Sequence, residues 1–215
     1  MKKLFLLLLF VPFLSVAQTP ELLEMLKTIE GSYKIDGNKD VFMQEVMELD
    51  SNLTKDQLYF IAKEYIASSY GDAKSVIQVD DKERGLIICK GLYSDIKCTE
   101  VYIGSAGEYT ATHILKIDIK DGRIRVTITV TNINEYYAPT YVNGFYDKGR
   151  STDRKMTDYY PINQGPRDIM EKKLKTREGY VFYRVVWRMK NTFASIKLKF
   201  TKPQNYNFTD GNDDW

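Results

Sequence analysis

Residues 110–133, TATHILKIDIKDGRIRVTITVTNI, constrain the fold more than any other stretch of this chain. Apolar and polar residues alternate on both sides of Asp121-Gly122, the pattern of one long β-hairpin. Asp-Gly suits a two-residue type I′ loop, in which both central residues need positive φ. With that loop Ile119 faces Ile124, Ile117 faces Val126, Leu115 faces Ile128 and His113 faces Val130. One face is then almost entirely β-branched or aliphatic. The other carries Lys116, Asp118, Lys120, Arg123, Arg125, Thr127 and Thr129, with Asp118 opposite Arg125 as a favourable cross-strand pair. A sheet of this kind takes helices on one side and leaves its second side less apolar.

Residues 1–17 read as a cleaved targeting segment. Lys2 and Lys3 precede an apolar run from Leu4 to Leu14, and Ser15-Val16-Ala17 is a small-residue cleavage site before Gln18. The run is shorter than the roughly 20 residues a spanning helix needs, and no later stretch replaces it. The expectation is therefore an exported protein, periplasmic or extracellular, with no transmembrane segment in the mature chain. Cleavage removes Lys2 and Lys3 and no acidic residue. It brings the 31 basic residues to 29, level with the 29 acidic ones. A near-neutral mature chain lacks the electrostatic footprint of a nucleic-acid binder. In an oxidising compartment Cys89 and Cys98, the two cysteines of the sequence, are candidates for a disulfide. A turn at Tyr93-Ser94 would set them opposite each other; two buried free thiols are the alternative.

Residues 18–40 form a lead-in that ends in the polar turn 36–40. Its D-x-N-x-D spacing lacks the Gly and Glu of a calcium loop, so a plain turn is expected. A first strand follows over 41–49. A helix starts at the capping box Thr54–Gln57, with Leu58, Ile61, Ala62, Tyr65 and Ile66 as its apolar stripe and Gly71 as its C-terminal cap. Asn52-Leu53-Thr54 also fits a glycosylation acceptor, which the capping reading makes unnecessary. Residues 74–79 and 86–93 make a strand pair around a solvated acidic turn at 80–85, and 94–107 an irregular connection.

The order of strand 41–49 and helix 54–70, with the run SVIQVDDKERGLI at 75–87 and the hairpin ILKIDIKDGRIRV at 114–126, resembles a known family. It is similar to the domain of unknown function with a TBP-like fold found in exported Bacteroidetes proteins. The resemblance covers roughly 40–134, and Cys89 departs from it where a small residue is expected. It implies an α+β fold with a curved antiparallel sheet, β-α-β-β-β-β-α, and helices packed on one face. The domain would then occupy 41–200. The resemblance implies no reaction.

Beyond the matched region, 135–166 reads as a long loop rich in tyrosine, with Tyr136, Tyr137, Tyr141, Phe145 and Tyr146 among Asn, Gly and Pro. Such loops serve as adaptable recognition surfaces, or their rings fold back to close a small core. Residues 167–177 are expected to be a charged helix broken at Gly179. For 180–199 a helical stripe (Phe182, Val185, Val186, Met189) competes with a strand alternation (Val181, Tyr183, Val185, Trp187), and the family layout favours the helix. The acidic segment 201–215 is expected to be a mobile tail.

No nucleophile elbow, zinc-binding helix or Cys–His pairing is present, and His113 falls on the apolar parity of the hairpin. No cofactor or metal is expected. The reading is an exported, non-catalytic interaction module that binds another envelope protein, without nucleic acid. Its candidate surface is Lys116, Arg123 and Arg125 together with Tyr136, Tyr137, Tyr141, Phe145 and Tyr146. A glycan- or small-ligand-binding module stands second, and a hydrolase with paired carboxylates third.

Overall fold

The computed structural model describes residues 20–49, 53–97, 107–142, 144–159 and 169–201. The expected targeting segment 1–17, Asn52, Cys98 and residues 202–215 lie outside them. Strands β5 (Gly107–Lys120) and β6 (Arg123–Tyr137) form the expected hairpin in the register that the alternation predicts, from Ile119 with Ile124 to His113 with Val130. The turn itself differs. Gly122 takes φ +67° but Asp121 does not take a positive φ, so the loop is not type I′. The reason is tertiary. The Asp121 carboxylate accepts the Lys55 N–H at 2.6 Å, Gly122 N–H donates to the Leu53 carbonyl at 3.0 Å, and Leu49 N–H donates to the Gly122 carbonyl at 2.7 Å. These bonds fix the tip from outside the hairpin and outweigh the local turn preference.

Around this pair the antiparallel sheet is ordered β1 (Lys34–Ile35), β2 (Val41–Glu48), β6, β5, β4 (Leu86–Lys97), β3 (Ile77–Asp81), and β9 (Arg150–Arg154) pairs with β6 beyond the start of β2. From β2 onward the chain follows the expected strand, helix, four strands, helix, with three short strands inserted before the last helix. Helices α1 (Pro20–Lys27), α2 (Lys55–Ser69) and α4 (Ile169–Thr201) contribute to the core beside the apolar side of the hairpin.

The α2 capping box forms: Thr54 Oγ1 accepts the Gln57 N–H at 3.3 Å, and Gln57 Oε1 accepts the Thr54 N–H at 2.9 Å. Gly71 is not the left-handed cap, since α2 ends on an extended Tyr70 at φ −118°. Residues 73–76 are a short helix, α3 (Ala73–Val76), because the Asp72 side chain caps Lys74 and Ser75, and the strand begins only at Ile77. Asp80 is not simply solvated. It accepts from Tyr59 and pairs with Lys63, both on α2, and Lys63 followed by Tyr59 holds its carboxyl below the usual range.

Helix α4 runs through Gly179 without a break. A mid-helix glycine costs about 1 kcal/mol. The stripe Val181, Phe182, Val185, Val186, Met189, Phe193, Ile196 and Phe200 is buried and offsets it, while Trp187 is exposed, against the strand alternation. Strand β4 continues past Tyr93-Ser94 to Lys97, with a register shift between Tyr93 and Ile96 but no chain reversal, so no turn there sets Cys89 opposite Cys98. Cys89 lies across from Leu115 and Ile77, buried and free, and burial pushes its thiol up to about 11. Residues 135–166 are not one loop: β6 continues to Tyr137, and β7 (Thr140–Val142), β8 (Phe145–Asp147), β9 and a 3₁₀ turn at Met156–Tyr159 follow.

Candidate interaction site

The sequence-derived surface separates into two regions. Past Asn132 the parity of β6 changes, because Thr131 is an extra residue opposite β5: Thr112 pairs with Asn132 but His113 with Val130. The bulge turns Ile133, Glu135 and Tyr137 onto the helix side. Tyr137 is therefore buried, 7% exposed, and is corrected from a recognition residue to a structural one. Its hydroxyl donates to the Glu135 carboxylate, which also accepts the Tyr109 hydroxyl at 3.1 Å and Arg177 Nη2 at 3.3 Å. Arg154 from β9 sits 3.8 Å from Glu135 and 2.9 Å from Glu178, with its guanidinium over the Tyr159 ring. Arg150 lies over the Tyr137 ring at 4.5 Å. Two carboxylates and two guanidiniums thus balance inside the fold and tie β6, β9 and α4 together.

From this base the chain projects a two-stranded ribbon, β7 with β8. Val142 pairs with Phe145, and Gly144 takes φ +82° at the tip. Gly149, at φ +74°, returns the chain to β9 so closely that a Cβ there would lie 2.5 Å from the Tyr137 carbonyl oxygen. The ribbon exposes its aromatics: Tyr141 is 73%, Phe145 80% and Tyr146 61% accessible. The Tyr141 and Tyr146 rings meet at 5.1 Å with a 50° tilt. Tyr136 is half-exposed on the open face of the sheet beside Asn134.

Lys116, Arg123 and Arg125 project from that open face near the hairpin tip. Asp118 pairs with Arg125 at 3.0 Å and with Lys116 at 3.2 Å. Its partial burial raises the carboxyl, but the Arg125 and Lys116 hydrogen bonds outweigh this and hold it low. Val46, Lys120 and Arg123 complete a shallow depression of about 230 Å³. Arg125 and Tyr137 lie toward opposite ends of β6, so up to about 35–40 Å of strand separates this region from the base of the ribbon. The structure does not bring the cations and the ribbon aromatics into one surface.

The buried Glu135 cluster was not legible as a site, since nothing in the sequence marks the bulge that turns it inward. The ribbon had a signal: Asn143-Gly144 between Tyr141-Val142 and Phe145-Tyr146 is a two-residue hairpin motif. Among the described residues no three His, Cys, Asp or Glu side chains gather as a metal site, and no helix is long and apolar enough to cross a membrane.

With this arrangement in view, residues 44–135 match the family model described as a domain of unknown function (DUF4468) with TBP-like fold. That segment is similar to a DUF4468 domain. The match runs from inside β2 to the bulged end of β6, so it holds the central sheet and α2 but not the ribbon or α4. A crystal structure of a DUF4468 family protein from Bacteroides ovatus is similar, at 14% identity and a TM-score of 0.54, over 82% of this chain and 94% of that one. A TBP-like protein from Parabacteroides distasonis has 17% identity and a TM-score of 0.48, over 76% of this chain and 96% of that one. At these identities the first likeness shows the fold alone, α+β with an antiparallel sheet. No curated protein matches the chain.

Proposed function

We propose that this protein is an exported, non-catalytic interaction module of the cell envelope that docks another protein through the β7–β8 ribbon. One observation carries the reading: Tyr141, Phe145 and Tyr146 stand 61–80% exposed on a ribbon whose base is braced. Aromatic rings supply large contact area with few rotatable bonds and are the residues that dominate interface energetics. Three-residue strands paired only with each other are marginal alone, so a partner that covers the rings would stabilise them. The braced base favours docking with little rearrangement.

The 50° tilt between Tyr141 and Tyr146 favours a protein over a glycan, because a sugar ring stacks best on one flat platform. The hydrolase reading loses support at the converging carboxylates: Glu135 and Glu178 share Arg154, and Arg177 also bonds Glu135 inside the fold. The test is cross-linking in envelope extract with the unaltered chain, a Tyr141→Ser/Phe145→Ser/Tyr146→Ser variant and an Arg123→Ala/Arg125→Ala variant, matched in melting temperature. The expected result is one defined adduct that the serine variant loses by at least tenfold and the alanine variant keeps. Retention by the serine variant would move the surface off the ribbon.

A further inference from the structure

Among the described residues, the outer edge of β2 is uncovered over most of its length. β1 pairs with Val41 and Phe42, and among the described residues no strand lies beside 43–48. The bond from Leu49 N–H to the Gly122 carbonyl sets the phase of the ladder. By the alternation of antiparallel pairing, odd-numbered residues of β2 bond to β6, and Gln44, Val46 and Glu48 turn their N–H and C=O outward. Such a row is a template for a further strand. Alongside it, between β2 and α4, runs a groove of about 370 Å³ lined by Met43, Glu45, Lys190, Phe193, Ala194 and Lys197. An edge strand beside a groove is the arrangement in which extended peptides bind, main chain to the edge and alternate side chains to the groove.

The chain itself supplies a segment of the right length, direction and charge. Arg177, early in α4, reaches Glu135 at the far end of β6, while Lys197 reaches Glu45 of β2 at 3.7 Å. Helix α4 and β2 therefore run the same way, and the chain leaves Thr201 near the Glu48 end of β2. Fourteen residues follow, KPQNYNFTDGNDDW. Extended, they span up to about 45 Å, and the uncovered edge needs about 20 Å. Pro203 suits a break just after a helix, and Tyr206 and Phe208 alternate with Asn205, Asn207 and Thr209 in the period of a strand.

A return along β2 would be antiparallel, leaving Lys202 near Glu48 and carrying Asp210, Asp213 and Asp214 toward Lys190 and Lys34. We propose that residues 204–209 add in cis to the outer edge of β2, with Tyr206 and Phe208 in the groove. This edge is distinct from the ribbon, and the inference stands apart from the docking reading.

Amide hydrogen exchange by NMR tests it on the full mature chain, on a Tyr206→Ser/Phe208→Ser variant, and on a chain ending at Thr201. Slow exchange at Gln44, Val46 and Glu48 in the full chain is expected, accelerated at least tenfold in both variants. Val126 and Ile117 inside the sheet should be unchanged, which shows that the variants are folded. Rates at the three edge amides that are alike in all folded chains would overturn the proposal. Protection that rises with concentration alongside a dimer mass would also overturn it, because the added strand would then come from a second copy.

Discussion

His113 is the single histidine of the sequence, and its chemistry follows from its place on β5. It is buried against Gly91, stacked on the Tyr93 ring at 4.0 Å, with Nε2 hydrogen-bonded to the Tyr70 hydroxyl at 2.9 Å. Burial lowers its pKa from 6.5 to about 4. The unfolded chain therefore binds a proton that the folded chain refuses across this window. The stability contribution is fully present above pH 6.5 and is lost as the pH falls toward 4, on the order of 3 kcal/mol in all. Urea unfolding at pH 7 and pH 5 should show the loss, and the His113 ring protons should not titrate above pH 5. A titration midpoint near 6.5 would contradict the burial. Strand parity alone placed this residue in the core. Glu135 was not legible in the same way, because a single extra residue at Thr131 reverses the parity beyond it.

At the scale of elements, α2 and the central hairpin were legible because their local signals agree with their packing. The capping box and the stripe from Leu58 to Ile66 describe one helix, and the cross-strand register follows from the alternation. The misreadings came where distant contacts decide. Asp121 is held by the start of α2 rather than by turn preference, and Gly179 is carried through by the buried stripe of α4. The ribbon's strands are only three residues long, too short for an alternation to distinguish them from loop. Its two glycines give a prediction. Gly144 and Gly149 both have positive φ, so alanine at either costs about 1 kcal/mol. A Cβ at Gly149 would also meet the Tyr137 carbonyl oxygen at 2.5 Å, whereas nothing lies within 4 Å at Gly144. Gly149→Ala should therefore destabilise β9 by at least about 1 kcal/mol more than Gly144→Ala, read as faster amide exchange across Arg150–Arg154. Equal effects would place the strain elsewhere.

For the whole molecule, the segment that matches the DUF4468 model supplies a sheet with helices on one side, and the remainder of the described residues adds α4 and a projecting ribbon. The cations at the hairpin tip and the aromatics of the ribbon lie toward opposite ends of β6. A single binding surface is thereby replaced by an open sheet face with paired charges and a separate aromatic prong. In the proposed docking, the prong makes the contact. The most direct measurement places a photo-crosslinking phenylalanine at Phe145 in one chain and at Leu92, 63% exposed on β4, in another, and irradiates both in envelope preparations. If the ribbon docks a partner, position 145 yields one protein adduct of defined mass and position 92 none. Adducts from position 92 alone, or equally from both positions, would contradict it.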